Sequence, residues 1–231
     1  MTTGAMTQDE AKQLAARAAL ELLPKAGVIG LGSGSTATLF IDGVGELVKK
    51  GRTLVGVATS EASRVQATEL GIPLLPDDGP WDIALTVDGA DEVSEALDLI
   101  KGGGGCHARE KIVNYASKQN VIIVDESKLS AKLGEKWPVP VEVLGFGHES
   151  TVRALSSFGK VVLRTRAHRP WMTDAGNYIY DVHVGPIDDP AEVDRRLRSV
   201  VGVVETGLFV GRADRVIVAG PNGVRELGLP R

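Results

Sequence analysis

Residues Gly27 to Ser60 read GVIGLGSGSTATLFIDGVGELVKKGRTLVGVATS. An apolar run, GVIGLG, leads into a turn rich in glycine and hydroxyl residues. A stretch with helical spacing follows from Ser35 to about Lys50, and then a second apolar run, TLVGVATS. Strands that are apolar on both faces belong in a covered parallel sheet, and a helix between two of them supplies the crossover. The pattern extends both ways. A helix from about Gln8 to Leu23 precedes it, opened by Thr7 with Glu10 three residues on, a capping-box pattern. A helix from Glu61 to about Leu70 follows, then the strand in DIALTVDGADEV, a helix around Arg109 to Lys118, and VIIVDESKL. The expected fold is α/β, a Rossmann-like parallel sheet flanked by helices.

The texture changes at KLGEKWPVPVEV, where Pro138 and Pro140 are expected to interrupt any regular core strand. Beyond it, KVVLRTRA, NYIYDVHV and GVVETGLF read as shorter strands with polar alternation, with a helix near Asp189 to Ser199. These predict a smaller α+β, ferredoxin-like domain over residues 134–207. The Rossmann-like domain then takes residues 1–133 and 208–231, with ADRVIVAG returning to the large sheet.

The 231 residues carry a net charge of −4, so no global attraction to nucleic acid or anionic membrane is expected. The stretch Thr151 to Pro170 holds Arg153, Lys160, Arg164, Arg166 and Arg169 without an acid, and reads as a solvated basic face. Cys106 is the single cysteine, which suits a reducing compartment. The chain opens without a basic region followed by an apolar run, and holds no apolar run long enough to span a bilayer. The expected location is the cytoplasm.

Four loops follow strands. GLGSGST, Gly30 to Thr36, precedes a helix, so its glycines, hydroxyls and free N–H groups suit a phosphate. It also fits the loose dinucleotide glycine pattern, but Thr59 and Ser60 stand where a ribose-binding acid would be needed. DGADE, Asp88 to Glu92, crowds three acids within five residues against their mutual repulsion, as active sites do. No histidine pair or further acidic cluster accompanies them, so no metal is expected. In the third loop, Lys101 enters a run of four glycines and Glu110 leaves it at the start of a helix. Glycines let backbone press against a ligand, Lys101 would stabilise an oxyanion, and Glu110 would move a proton. VDESKL supplies Lys128. Cys106 and His107 are adjacent in sequence, which does not bring their side chains together, and they are left out of the site.

In this order, GSGST, TSEAS, DGADEV, IKGGGG with REKIV behind it, and VDESKL resemble the ribose-5-phosphate isomerase A family. The resemblance extends to TQDEAK and TDAGNYIYDV and covers nearly the whole chain. It implies interconversion of D-ribose 5-phosphate and D-ribulose 5-phosphate without metal or cofactor, in the non-oxidative pentose phosphate pathway. It further implies a homodimer or homotetramer, with the smaller domain serving oligomerisation. Carried over by motif, Glu110 would be the proton acceptor, with Asp88, Asp91 and Lys101 also catalytic. Substrate would be held by Lys12, Ser33, Gly34, Ser35, Thr36, Gly89, Ala90, Gly102, Gly103, Gly104 and Lys128. The chain departs from the family pattern at GCHARE, where AALTRE is expected, while the spacing from Lys101 to Glu110 is kept. A nicotinamide oxidoreductase and a sugar-phosphate-sensing regulator are the rival readings.

Overall fold

A computed structural model describes residues 6–228. In chain order the elements are α1 (Gln8–Leu20), β1 (Ala26–Leu31), α2 (Ser35–Lys49), β2 (Thr53–Ala58), α3 (Glu61–Glu69), β3 (Ile83–Asp88), β4 (Glu92–Val93), β5 (Leu99–Ile100), α4 (His107–Tyr115), β6 (Asn120–Asp125) and β7 (Val139–Val143). Then come α5 (His148–Leu155), β8 (Lys160–Leu163), β9 (Thr165–Arg166), β10 (Arg169–Pro170), β11 (Tyr178–His183), α6 (Pro190–Arg198), β12 (Val203–Thr206), β13 (Leu208–Phe209), β14 (Arg215–Gly220) and β15 (Gly223–Gly228). The chain divides into two compact units, residues 6–89, 112–128 and 213–228, and residues 90–111 and 129–212.

The first unit is built on a six-stranded sheet in the order β15-β14-β6-β3-β1-β2. The strands from β14 to β2 run parallel, and β15 closes the edge as an antiparallel hairpin with β14. The core holds Ile29, Leu31, Phe40, Ile41, Leu54 and Ile123, and every residue of β6 is buried. This is the burial on both faces that the apolar runs predict. From β1 the chain steps one way to β2 and the other way to β3. The switch point therefore lies between β1 and β3, and in such sheets ligands bind at the carboxyl ends of the strands there. GSGST follows β1, and Asp88 ends β3.

Helix ends differ from the sequence reading. Helix α1 has its capping box, with Thr7 N donating to Glu10 Oε2 at 2.7 Å and Glu10 N to Thr7 Oγ1 at 3.2 Å. It stops at Leu20 rather than Leu23. Leu22 and Leu23 bond to carbonyls three residues back, tightening the chain before Pro24, which disfavours helix in the residue ahead of it. Helix α4 begins at His107 and ends at Tyr115. The Ser117 hydroxyl donates to Val113 O at 2.6 Å, and Ser117 N bonds three residues back to Asn114 O.

The second unit carries an antiparallel four-stranded sheet in the order β12-β7-β11-β8, with helices α5 and α6. Its strands and helices follow one another as β7-α5-β8-β11-α6-β12, the ferredoxin-like arrangement. Val139, Val141, Val143, Leu155 and Leu197 form its core. The expectation that Pro140 would break a core strand fails, because Pro140 lies inside β7, a central strand. Its ring packs against Gly207, where β12 has ended, and Gly207 N donates to Pro140 O at 2.7 Å. A Cβ on Gly207 would stand 2.7 Å from the ring, so glycine makes the space that the proline needs. A small sheet, β13-β5-β4, completes this unit. Among the described residues, no helix is long and apolar enough to cross a membrane.

Candidate active site

In the first unit, the backbone turns from β1 into α2 through Gly34 at φ +91°, a conformation that favours glycine. No side chain caps α2, so its first N–H groups form an open, electropositive end beside Ser35 and Thr36. Asp88 is buried at the end of β3, and its Oδ1 accepts from Ser33 N at 2.9 Å and Gly89 N at 2.7 Å. A Cβ on Gly32 would stand 2.3 Å from that oxygen, so Gly32 and Asp88 occupy one space between them. The Ser33 hydroxyl is held at 2.7 Å by both Thr59 and Ser60, while Ser63 donates to Gly32 O at 2.6 Å. Ser33 thus fixes the loop, and the amides and hydroxyls of residues 34–36 are the loop's outward groups.

Two of the candidate lysines, Lys12 and Lys128, lie in this unit. Lys12 on α1 is half-buried and pairs with Asp9 at 3.4 Å. Lys128 ends a 3-10 turn, Glu126–Lys128, directly after β6. Asp125 at the end of β6 is pushed up by burial, but bonds from Ser127 and Gln8 and the charge of Lys128 outweigh this and hold it below the ordinary aspartate value. Ala90 begins the second unit.

In the second unit, Asp91 Oδ2 accepts from Gly103 N at 2.6 Å, and a Cβ on Gly103 would clash with Asp91 at the same distance. Gly102 has φ +106° and abuts His107, leaving no room for a side chain. Gly105 has φ +82° and is packed against Ile179. Gly104 alone is open, exposed with nothing within 4 Å of a Cβ. The glycine run is therefore a tightly fitted wall with one free face.

The same unit holds a buried ion pair. Lys101 Nζ stands 3.2 Å from Glu110 Oε2, with side chains 3% and 5% exposed. The Lys101 ammonium also lies 5.5 Å from the centre of the Phe209 ring. The same ring has the Lys111 ammonium at 4.9 Å, which bonds Glu205 at 2.9 Å and Thr206 O at 2.8 Å. Burial lowers the Lys111 pKa, opposed by Glu205 and Asp194. The His107 ring is fully buried, with Nε2 3.3 Å from Glu205 O. Burial first, and the charge of Lys111 second, push its pKa down to about 3, so it is neutral at ordinary pH. A carboxylate beside an ammonium in a dry recess is equipped to move a proton and to balance the charge that this leaves.

A family model of ribose 5-phosphate isomerase A (phosphoriboisomerase A) matches residues 55–223, more than half of the chain. The chain belongs to the ribose 5-phosphate isomerase A family. The ribose-5-phosphate isomerase A of Rhodopseudomonas palustris (strain BisB18) is 45% identical over 233 residues, covering 97% of this chain and 100% of that one. The structure of ribose 5-phosphate isomerase A from Methanocaldococcus jannaschii superposes with a TM-score of 0.91 at 41% identity, covering 96% of this chain and all of that one. A D-ribose-5-phosphate isomerase solved in complex with phospho-erythronic acid gives 0.93 at 40% identity, with the same coverage.

In this isomerase A family member, Arg164 and Phe209 touch the candidate site residues Gly102, Gly103 and Lys101 and escape sequence reading. Arg164 lies 61 residues from Gly103 in sequence, and only the fold brings it to the glycine run. Ser63, the last residue of TSEAS, sits on α3 and is not singled out as a site residue by the sequence, though it holds the Gly32 carbonyl. Among the described residues, no group of three or more His, Cys, Asp and Glu side chains is placed to hold a metal ion.

Proposed function

We propose that this protein interconverts D-ribose 5-phosphate and D-ribulose 5-phosphate through an enediolate. The buried Lys101–Glu110 pair carries the reading. Family membership supports it.

The chemistry follows from the groups. In an open-chain sugar, Glu110 takes the proton from C2 and returns it to C1. Lys101 balances the negative charge that develops on the two oxygens between these steps. Asp88, anchored through Oδ1 by two peptide N–H groups, serves the proton traffic of ring opening. Asp91 holds Gly103 and orients sugar hydroxyls. The amides and hydroxyls of residues 34–36, with Gly89, Ala90, Lys128 and Lys12, bind the phosphate end and the chain of the sugar. Phospho-erythronic acid, held by a relative, carries a planar anionic O–C–O group that resembles the enediolate edge, and a phosphate.

The same reading places the protein in the cytoplasm, as a homodimer or homotetramer joined through the smaller domain, residues 134–207. Phe146 and Val201, 98% and 91% exposed, give that segment apolar surface to cover. Sedimentation velocity tests the assembly.

The activity is tested by following ribose 5-phosphate and unphosphorylated ribose in a strong chelator. Rapid conversion of the phosphate and very poor conversion of ribose are expected. No conversion of the phosphate would overturn the reading. Activity lost in chelator and restored by a divalent ion would overturn its metal-free chemistry.

A further inference from the structure

The basic stretch 151–170 reads as a solvated face, and Arg153, Lys160, Arg166 and Arg169 are indeed exposed. Arg164, which follows β8, departs from it with a side chain 10% exposed. Its Nε donates to Asp181 Oδ2 at 3.0 Å, and its Nη2 pairs with the other oxygen of the same carboxylate. The Trp171 ring lies 5.7 Å from the guanidinium carbon. The remaining nitrogen, Nη1, donates to Gly102 O at 2.5 Å and to Gly103 O at 3.2 Å.

We propose that Arg164 is a positioning residue for the isomerisation, holding the glycine run's peptides so that the Gly103 N–H stays on Asp91 and the Gly104 N–H faces the reacting sugar oxygens. The inference rests on the isomerase reading above. A trans peptide points its C=O and N–H in opposite directions. Holding Gly102 O on Arg164 sends the Gly103 N–H the other way, and it meets Asp91 Oδ2 at 2.6 Å. Holding Gly103 O likewise turns the Gly104 N–H away from the guanidinium, at the one glycine whose surroundings are open. Consecutive glycines have little intrinsic preference between such orientations, so the Arg164 clamp works together with the run's own turn, in which Gly105 N donates to Gly102 O at 2.9 Å. Arginine suits the task because its rigid fork spans Asp181 and still leaves donors for two carbonyls, which a lysine ammonium cannot match. A donor already aimed where an oxyanion develops lowers the barrier without reorganisation.

The test compares wild type, Arg164→Lys and Arg164→Met in ribose 5-phosphate conversion, with folding checked by circular dichroism. We expect kcat to fall about ten- to a hundredfold in Arg164→Met while KM changes less than about threefold, because the donors matter chiefly in the transition state. Arg164→Lys, which keeps a charge beside Asp181, should show the same split with a smaller loss. If Arg164→Met does not fold, Arg164→Lys decides alone. A wild-type kcat in the folded variants, or a loss carried by KM with kcat unchanged, overturns this inference while leaving the function intact. A wild-type chain that does not convert ribose 5-phosphate overturns both.

Discussion

Lowering the pH should weaken this protein through His107, by an amount that follows from its burial. The ring is fully buried and its pKa is pushed down to about 3, against 6.5 for an ordinary histidine. In the unfolded chain His107 takes a proton as the pH falls through 6.5, while in the folded chain it refuses one until about 3. The unfolded state thus binds more protons across this window, and stability is lost as the pH falls through it. Each pH unit below 6.5 costs about 1.4 kcal/mol, so moving from pH 7.5 to 5.0 removes about 2 kcal/mol and the whole window about 5 kcal/mol. The assay is urea unfolding at pH 7.5 and 5.0 for wild type and for His107→Leu, which fills a similar volume and does not titrate. Other titrating groups are common to both proteins and cancel in the difference. Wild type should lose about 2 kcal/mol more than the variant between the two pH values. The same pH dependence in both proteins would refute the assignment of a buried, neutral His107.

Glu110→Gln should lower turnover by about a hundred- to ten-thousandfold and stop exchange of the C2 proton with solvent deuterium, while binding survives. Binding lost together with turnover would make Glu110 an orienting group instead. The same change leaves the Lys101 ammonium buried without its carboxylate, so a thermal midpoint below wild type is expected. Gly32→Ala should reduce kcat/KM by about a hundredfold, because its Cβ would stand 2.3 Å from Asp88 Oδ1, and near-wild-type kinetics would contradict that geometry. Gly104→Ala meets nothing within 4 Å and should unfold within about 0.5 kcal/mol of wild type in urea.

The Rossmann-like half was legible because its parallel strands are buried toward their carboxyl ends and β1, β3 and β6 are followed by loops with chemical content. GVIGLG and VIIVD announce themselves as β1 and β6, and the loops at their ends carry the candidate residues. Elements too short for a period left no such trace. The two-residue strands β4, β5 and β13 exist through pairing with one another, and the mostly exposed β15 through its hairpin with β14. Pro140 was misread because its tolerance depends on Gly207, far along the chain. Arg164 was misread because a charged residue among charged residues looks solvated until Asp181 and the glycine carbonyls are brought to it. His107 gave no signal, since burial is what sets its character.

The fit between glycines and carboxylates has a consequence for altering what this protein accepts. Gly32 leaves vacant the volume taken by Asp88, and Gly103 that taken by Asp91. The two members of each pair cannot be varied independently. A library that randomises one member alone explores clashes on one side and empty space on the other. One that randomises both together, adding a methyl group at the glycine while shortening the acid, samples backbones that still close. Glycine and acid are in this sense single units of inheritance, each written at two separated places in the chain.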